Sequence, residues 1–467
     1  MKKNLSTLLF FLTFFFFSCS EKKKPNIIWL VCEDQSQIFF PMYGDNTVDL
    51  PNLKALAEDS VVFENMHATT PVCSPARSAI ITGMYPTTLG THNMRAYNEG
   101  RATNQPQLNI PSYSPSFPDH IKPFTTYLRN QGYFCINNNK EDYNFKISKD
   151  AWNQSCSYCS GTMKENIHWR NRLPNQPFFA VFNFQITHEA QIWKQSENKL
   201  YVDPNQLNVP KFFPDNDIIR KDLAVNYSNL VRMDNELGLR IQELKDKGLY
   251  EDAYIFFYSD HGGPFPRFKR AIYDTGVKVP FMVKYPKSKW AKTRVDELLS
   301  FVDLAPTVLD IAGIEIPNHL QGFSFLDFYK FNRNYLITAS DRFDEEVDRI
   351  RSIKTKKFKL IKNFYLEKAH ALPVRYRENM PLMKELNKQF MENTLNNDQI
   401  KWFQSPKQEF ELYDLEKDPN ELENLSGIPE YSSVIDALNQ ELDKWIIDTN
   451  DLGEFPESFT INNSKID

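Results

Sequence analysis

Three short runs constrain the fold of this chain more than anything else in it. NIIWLVC (26–32), FFAVFNFQ (178–185) and YIFFYS (254–259) are almost wholly apolar and rich in β-branched and aromatic residues. A strand that is apolar on both sides belongs inside a sheet covered on both faces. Helical patterns lie between the runs: PNLKALAEDS, then SPARSAIITG with Pro75 in its first turn, then PFTTYLRNQG, and a long amphipathic segment, DIIRKD to Gly248. Strands alternating with helices predict an α/β chain on a large, mostly parallel sheet sandwiched by helices. Ligands of such sheets bind beyond the carboxyl ends of the strands. Glu33 and Asp34, His188, and Asp260 with His261 all fall at such ends.

Past residue 330 the pattern changes. FKLIKNFYL and FELYDLEKDP read as strands of a small antiparallel sheet, with a helical stretch from Glu378 to Phe403 between them. The expected organisation is a leader at 1–18, a main domain at 19–330 and a smaller C-terminal α+β subdomain at 331–467. The start, MKKNLSTLLFFLTFFFFSCSEKKK, has a basic end and an apolar run too short to span a bilayer, which fits a signal peptide. A small residue before Cys19 resembles a lipoprotein cleavage site, with Cys19 lipidated and a polar tether following; an ordinary signal peptide is the plainer alternative. Either way the protein is expected to be exported, to the periplasm or cell surface, touching the membrane only through a lipid anchor. A net charge of -5 argues against nucleic acid as a partner.

Of the six cysteines, Cys32 and Cys135 sit in apolar strands and read as core residues. Cys156 and Cys159 form CSYC, where a disulfide is open and a redox or zinc role lacks visible partners. Cys73 is the odd one, just ahead of a helix with Arg77 one turn in. A helix start carries partial positive charge and free N–H groups, so an anionic group at 73 would be stabilised there. It could equally be a thiolate metal ligand, a reactive thiol or a core residue. Glu33, Asp34 and Asp260 with His261 offer carboxylates and an imidazole, suited to calcium or magnesium, with manganese or zinc still possible. Either acidic pair alone would more simply be strand-end punctuation; two pairs on one sheet argue for a metal.

CSPAR, continuing as SAIITGMYPTTLGTH, resembles the Cys-x-Pro-x-Arg signature of the type I sulfatases of the alkaline-phosphatase-like superfamily. The resemblance covers most of the chain. PNIIWLVCED is similar to the family's first metal-binding strand and PNLKALAEDSVVFENMHAT to the segment before the signature. LRNQGYFCINNNK resembles the segment ending in a catalytic lysine, and SDHGG with KRAIYDTGVKVPFMVKYP the second metal loop and its lysine. VDLAPTVLDIAGIEIPNHLQGFS and ELYDLEKDPNELENL look like late family signatures.

The resemblance implies that a sulfatase-modifying enzyme oxidises Cys73 to formylglycine. The hydrated aldehyde would attack sulfur, displacing the substrate alcohol or amine, and its second hydroxyl would then expel sulfate. Glu33, Asp34, Asp260 and His261 would hold one calcium ion together with residue 73. Arg77 would orient the diol and Lys140 would sit beside it. Lys269 would hold sulfate oxygens, and His188 would give a proton to the leaving group. Three positions depart from the family pattern: Glu33 where Asp is commoner, His261 where many members have Asn, and Lys140 followed by Glu141 and Asp142 where a Lys-x-His is usual. Asp142, or a residue from elsewhere, would have to replace that histidine.

The implied substrate is a sulfated carbohydrate, with glycosaminoglycan and algal glycan, O-sulfate and N-sulfate all open. His92 and Arg95 in GTHNMR, and Arg342 and Arg349 further on, are candidate substrate contacts, or else surface or salt-bridged residues. The competing readings are a phosphate or phosphonate ester hydrolase of the same superfamily and a non-catalytic glycan-binding lipoprotein.

Overall fold

A computed structural model describes residues 24–97, 110–157, 159 and 161–464. The leader and Cys19 lie outside the described residues. Nine strands form the large sheet: β1 (Ile27–Cys32), β2 (Val61–His67), β3 (Phe134–Asn139), β4 (Gln154–Ser157), β5 (Phe178–Phe184), β6 (Tyr254–Ser259), β7 (Lys278–Val279), β8 (Phe281–Lys284) and β9 (Arg294–Ser300). Their order is β4-β3-β5-β1-β6-β8-β2-β7, with β9 paired to β2. Only β7 and β8 run against the others. The three apolar runs are neighbours at the centre, and Cys32 stands level with Phe184 on one side and Ser259 on the other.

The absence of alternation in these runs follows from burial on both faces. Ile28, Leu30 and Cys32 join one core cluster, and Ile27, Trp29 and Val31 the other. Phe178, Ala180 and Phe182 of β5 share the first cluster, Phe179 and Val181 the second. Burying each large side chain of this kind stabilises the fold by about 1.5–3 kcal/mol. Cys135 is also fully buried, and burial pushes both the Cys32 and Cys135 thiols up, as core residues require.

The first cluster is covered by the long helix Asp217–Asp246. The Asn216 side chain accepts from the N–H groups of Ile218 and Ile219, and Gly248 turns the chain with φ 63° just past the end. The second is covered by helices including Cys73–Thr82 and Leu304–Ile311. Cys73 is the first helical residue rather than the residue before the helix.

The C-terminal sheet is antiparallel throughout, in the order β10 (Leu336–Ser340), β11 (Ile350–Lys354), β12 (Phe358–Asn363) and β13 (Phe410–Asp414). Helix Ser432–Asp448 covers it through Leu442 and Trp445. The helix Pro381–Met391, between β12 and β13 in sequence, packs instead on the long helix. Leu382, Met383 and Leu386 join the first core cluster, and the Leu382 N–H donates to Asp222 at 2.7 Å. Cys156 and Cys159 are joined as a disulfide at the β4 edge.

Candidate active site

The functional side chains leave the sheet at one end. β1 delivers Glu33 and Asp34, β6 delivers Asp260 and His261, β5 leads to His188 and Glu189, β3 to Lys140, and β2 to the helix that begins at Cys73. That helix is buried along its whole length, and its N-cap, Val72, has no side-chain acceptor to offer, so the first N–H groups remain for the site. Asp34 has φ 52°, a strained value for a non-glycine that bends the chain sharply as β1 ends.

Asp34, Cys73, Asp260 and His261 are buried, and each offers one ligand atom within 4.8 Å of all the others. Cys73 Sγ lies 3.2 Å from His261 Nε2 and 3.9 Å from Asp34 Oδ1. His261 Nδ1 is 2.9 Å from the Gly262 carbonyl, to which its N–H can donate, so Nε2 is the ring atom turned to the cluster. Burial alone would lower the His261 pKa, yet Asp260, Cys73 and Asp34 push it up to about 10. The cluster therefore favours a cation at this point. Two carboxylates, an imidazole and residue 73 fit a divalent ion with oxygen and nitrogen ligands.

Glu33 stands apart from this group of four. Its Oε2 takes the Lys140 ammonium at 2.9 Å, while Oε1 has no hydrogen-bond partner and lies 3.8 Å from Arg77 Nη2. With Asp34 and His188 it forms a second group able to hold a metal. Burial raises the Glu33 carboxyl despite Lys140 and Arg77.

Three buried cations ring the acids. Arg77 donates from Nε to Asp260 at 3.0 Å and from Nη1 to Asn183 at 2.8 Å. Lys269 donates to Asp34 at 2.7 Å and lies 3.1 Å from Glu189. Burial opposes charge on Asp34 and Asp260, but the cations and His261 hold both carboxyls low. His188 Nε2 is 3.5 Å from Lys269 Nζ and 4.0 Å from Asp34 Oδ2. Its Nδ1 accepts from the Ala190 N–H at 3.2 Å, which leaves the ring proton on Nε2. Burial, then Lys269, pushes its pKa down to about 3, so the ring is neutral at ordinary pH.

Asp142 is buried with φ 51°, its Oδ1 accepting from the Ser74 hydroxyl at 2.8 Å. Its Oδ2 has no hydrogen-bond partner and lies 3.8 Å from Lys140. Burial would raise this carboxyl, but Lys140, Arg95, the Ser74 hydroxyl and Arg77 hold it below the usual range. Arg95 thus lies on the Asp142 side of the site, 4.0 Å from Asp344. His92 is buried.

Of the two further candidate arginines, Arg342 takes the salt-bridged alternative. Arg342 is locked by Glu457 at 2.6 and 2.7 Å and by the Met94 and Asp344 carbonyls. Arg349 lies over the Phe364 ring at 4.0 Å. The residue this segment brings to the site is Asp344. It accepts from Arg270 Nε at 2.7 Å, and Arg270 grips Glu189 with two bonds of 2.9 Å. Sequence reasoning missed Asn183, Glu189, Arg270 and Asp344. Signals existed for three of them: a lone polar residue in an apolar strand, and charges adjoining His188 and Lys269.

A sulfatase family model matches residues 25–314. The chain belongs to the sulfatase family. A second model, the C-terminal region of N-sulphoglucosamine sulphohydrolase, matches residues 263–397 of this sulfatase. An ulvan-active sulfatase from Formosa agariphila is 39% identical, covering 94% of this chain and 78% of its own length. A protein solved in complex with its substrate D-glucosamine-2-N,6-O-disulfate shares the fold with a TM-score of 0.64 at 18% identity, over 92% of this chain and 99% of its own. A phosphonate monoester hydrolase from Silicibacter pomeroyi does so with a TM-score of 0.65 at 16% identity, over 91% and 96%. This sulfatase is a sulfuric ester hydrolase on the alkaline-phosphatase-like fold. No helix among its described residues is long and apolar enough to cross a membrane.

Proposed function

We propose that this enzyme removes sulfate from a sulfated polysaccharide, with residue 73 matured from cysteine to formylglycine as nucleophile and a calcium ion bound beside it. The observation that carries the reading is the group of four buried donors, with Cys73 among them, ringed by Arg77, Lys140 and Lys269. Asp34, Asp260 and His261, with residue 73, would hold the ion, and Glu33 would complete the set by turning from Lys140. The bound ion supplies positive charge that acidifies a hydroxyl and polarises a sulfuryl oxygen. The hydrated aldehyde supplies a nucleophile with a second hydroxyl, so that sulfate can leave without hydrolysis of a stable ester.

The other groups act from where they stand. Arg77, fixed on Asp260 and Asn183, holds the residue-73 side of the site positive. Lys269 and Lys140 present ammonium groups where charge grows on the sulfuryl oxygens. His188 donates its Nε2 proton to the leaving oxygen or nitrogen. Asp142, ionised and with Oδ2 unengaged, takes the proton whose loss releases sulfate, the work a histidine does in the usual Lys-x-His. Arg95 and His92 contact the sugar.

The 39%-identical ulvan-active relative supports an algal polysaccharide as substrate, and the signal-like start supports export with Cys19 as lipid anchor. The phosphonate hydrolase neighbour shows that fold alone does not select sulfur over phosphorus. The test is a parallel assay on ulvan oligosaccharides, an N-sulfated glucosamine and a phenyl phosphonate ester. Sulfate release from ulvan fragments is expected; preferential phosphonate cleavage would overturn the reading.

A further inference from the structure

The end of the large sheet opposite the catalytic cluster carries a surface of its own. β1 enters the sheet at Ile27, and the Tyr254 N–H, at the start of β6, donates to the Asn26 carbonyl at 3.0 Å. The Tyr254 ring lies 5.5 Å from that of Tyr285, which follows β8. Tyr285 lies 4.9 Å from Trp290, and Trp290 6.2 Å from Tyr329. Four short contacts therefore join the place where the chain enters the sheet to the loops at 286–292 and 329–330. Glu33, Asp34, Asp260 and His261 stand at the other end of the same strands, and six residues of strand separate the two ends by about 20 Å.

The first of these loops, PKSKWAK (286–292), holds three lysines and no acid. Lys287, Lys289 and Lys292 are all exposed. Lys287 and Lys289 have no carboxylate within 4.0 Å among the described residues. Lys292 meets Glu58 and Lys330 meets Asp327, each at 2.8 Å, in exposed pairs of the kind that hold little energy. Trp290 is half-buried between Tyr285 and Phe328, 5.1 Å from the latter, with Lys289 Nζ 3.8 Å from its ring centre. Tyr329 beside it is 69% exposed. Indole, phenol and lysine side chains each join an apolar body to a polar tip, and such groups settle where hydrocarbon meets water.

We propose that this end of the molecule lies on a bilayer, with the 286–292 loop, Tyr329 and Lys330 as a membrane-docking surface for anionic lipid headgroups. The lysines would meet the headgroup phosphates, and Trp290 and Tyr329 the boundary beneath them. The proposal rests on the reading of Cys19 as the lipid anchor and goes beyond it, because the anchor is then not the sole contact with the membrane. Five residues take the chain from Cys19 to Lys24, a reach of at most about 18 Å. Lys24 is itself fixed at the sheet end, its Nζ donating to the Gln131 carbonyl at 2.8 Å. A lipid on Cys19 therefore holds this end, and not the catalytic end, close to the bilayer. A lipid and a basic patch together give firmer attachment than a lipid alone. The consequence is orientation: the catalytic cluster faces away from the membrane, open to a polymeric substrate.

The test uses the mature protein extracted from membranes and placed in vesicles of phosphatidylethanolamine and phosphatidylglycerol. Hydrogen exchange, read by peptide mass, is compared with the same protein in nonionic detergent micelles. The mass of the amino-terminal peptide reports acylation of Cys19 in the same samples. Peptides covering 286–292 and 329–330 are expected to exchange about tenfold more slowly in vesicles, and the peptide covering 71–77 equally in both. Lys287→Glu combined with Lys289→Glu should abolish the slowing and leave turnover of a soluble sulfated substrate unchanged. Acylated protein whose loops exchange alike in vesicles and micelles overturns the surface and leaves the anchor standing. An amino-terminal peptide without lipid overturns the anchor and this surface with it. Slowing that occurs in micelles too and grows with protein concentration would mark a contact between two copies of the chain, and overturns the proposal as well.

Discussion

Cys73 and Ser74 divide the site between them. The Cys73 sulfur faces His261 and Asp34, while the next side chain holds Asp142 by its hydroxyl. Cys73→Ala should reduce sulfate release to background while the fold persists, checked by turnover beside a melting curve. Asp142→Asn keeps an oxygen for Ser74 but cannot take a proton. Turnover should fall about 10²–10⁴-fold, the usual worth of a general base; an unchanged rate would remove Asp142 from that role. At this scale the sequence was most legible where chemistry repeats a motif, as in CSPAR. It was least legible where one residue acts on another. Glu189 and Asp344 are recognisable only once Arg270 is seen between them, because nothing in linear spacing joins positions 189, 270 and 344.

The loop from β6 to β7 carries Asp260, His261, Lys269 and Arg270, and its shape depends on close backbone approach. A Cβ on Gly276 would sit 1.9 Å from the Ala271 carbonyl oxygen and 2.3 Å from that of Phe268. Backbone cannot give way as a side-chain tip can. Gly276→Ala should therefore cost about 2–4 kcal/mol, seen as a lower denaturant midpoint, and should depress turnover by moving Lys269. Among the elements, the central strands β1, β5 and β6 were readable because burial on both faces leaves an unbroken apolar run. β4, β7 and β9 were not. β4 is a polar edge, β7 is two residues long, and β9 starts with the charged RVDE.

Across the whole molecule, helix Pro381–Met391 is tied to the long helix by a buried polar contact as well as by apolar packing. Asp222 on the long helix makes that contact. Burial pushes its carboxyl up to about 7, against the Leu382 N–H and Lys221. A folded pKa raised above the unfolded value of about 3.9 gives stability that is full below about pH 4 and lost as pH rises through 7. Asp222→Asn should flatten that dependence and raise stability at about pH 8 by on the order of 2–4 kcal/mol, measured by unfolding at several pH values. Metal removal is the second expectation at this scale. Chelation should lower the melting midpoint and calcium restore it, since an ion at about 100 times its Kd adds about 2.7 kcal/mol to the native state. The association of helix Pro381–Met391 with the main domain was hidden from the sequence, because an amphipathic face does not name the surface it will cover.

The central claim is that Cys73 is a maturation site. The measurement that reaches it most directly is the mass of the tryptic peptide Ala55–Arg77, from protein produced with a sulfatase-modifying enzyme. An aldehyde in place of the thiol is expected. An intact thiol, from cells whose maturation of another sulfatase is verified, would contradict it: the fold and family would stand, but the nucleophile proposed here would be absent.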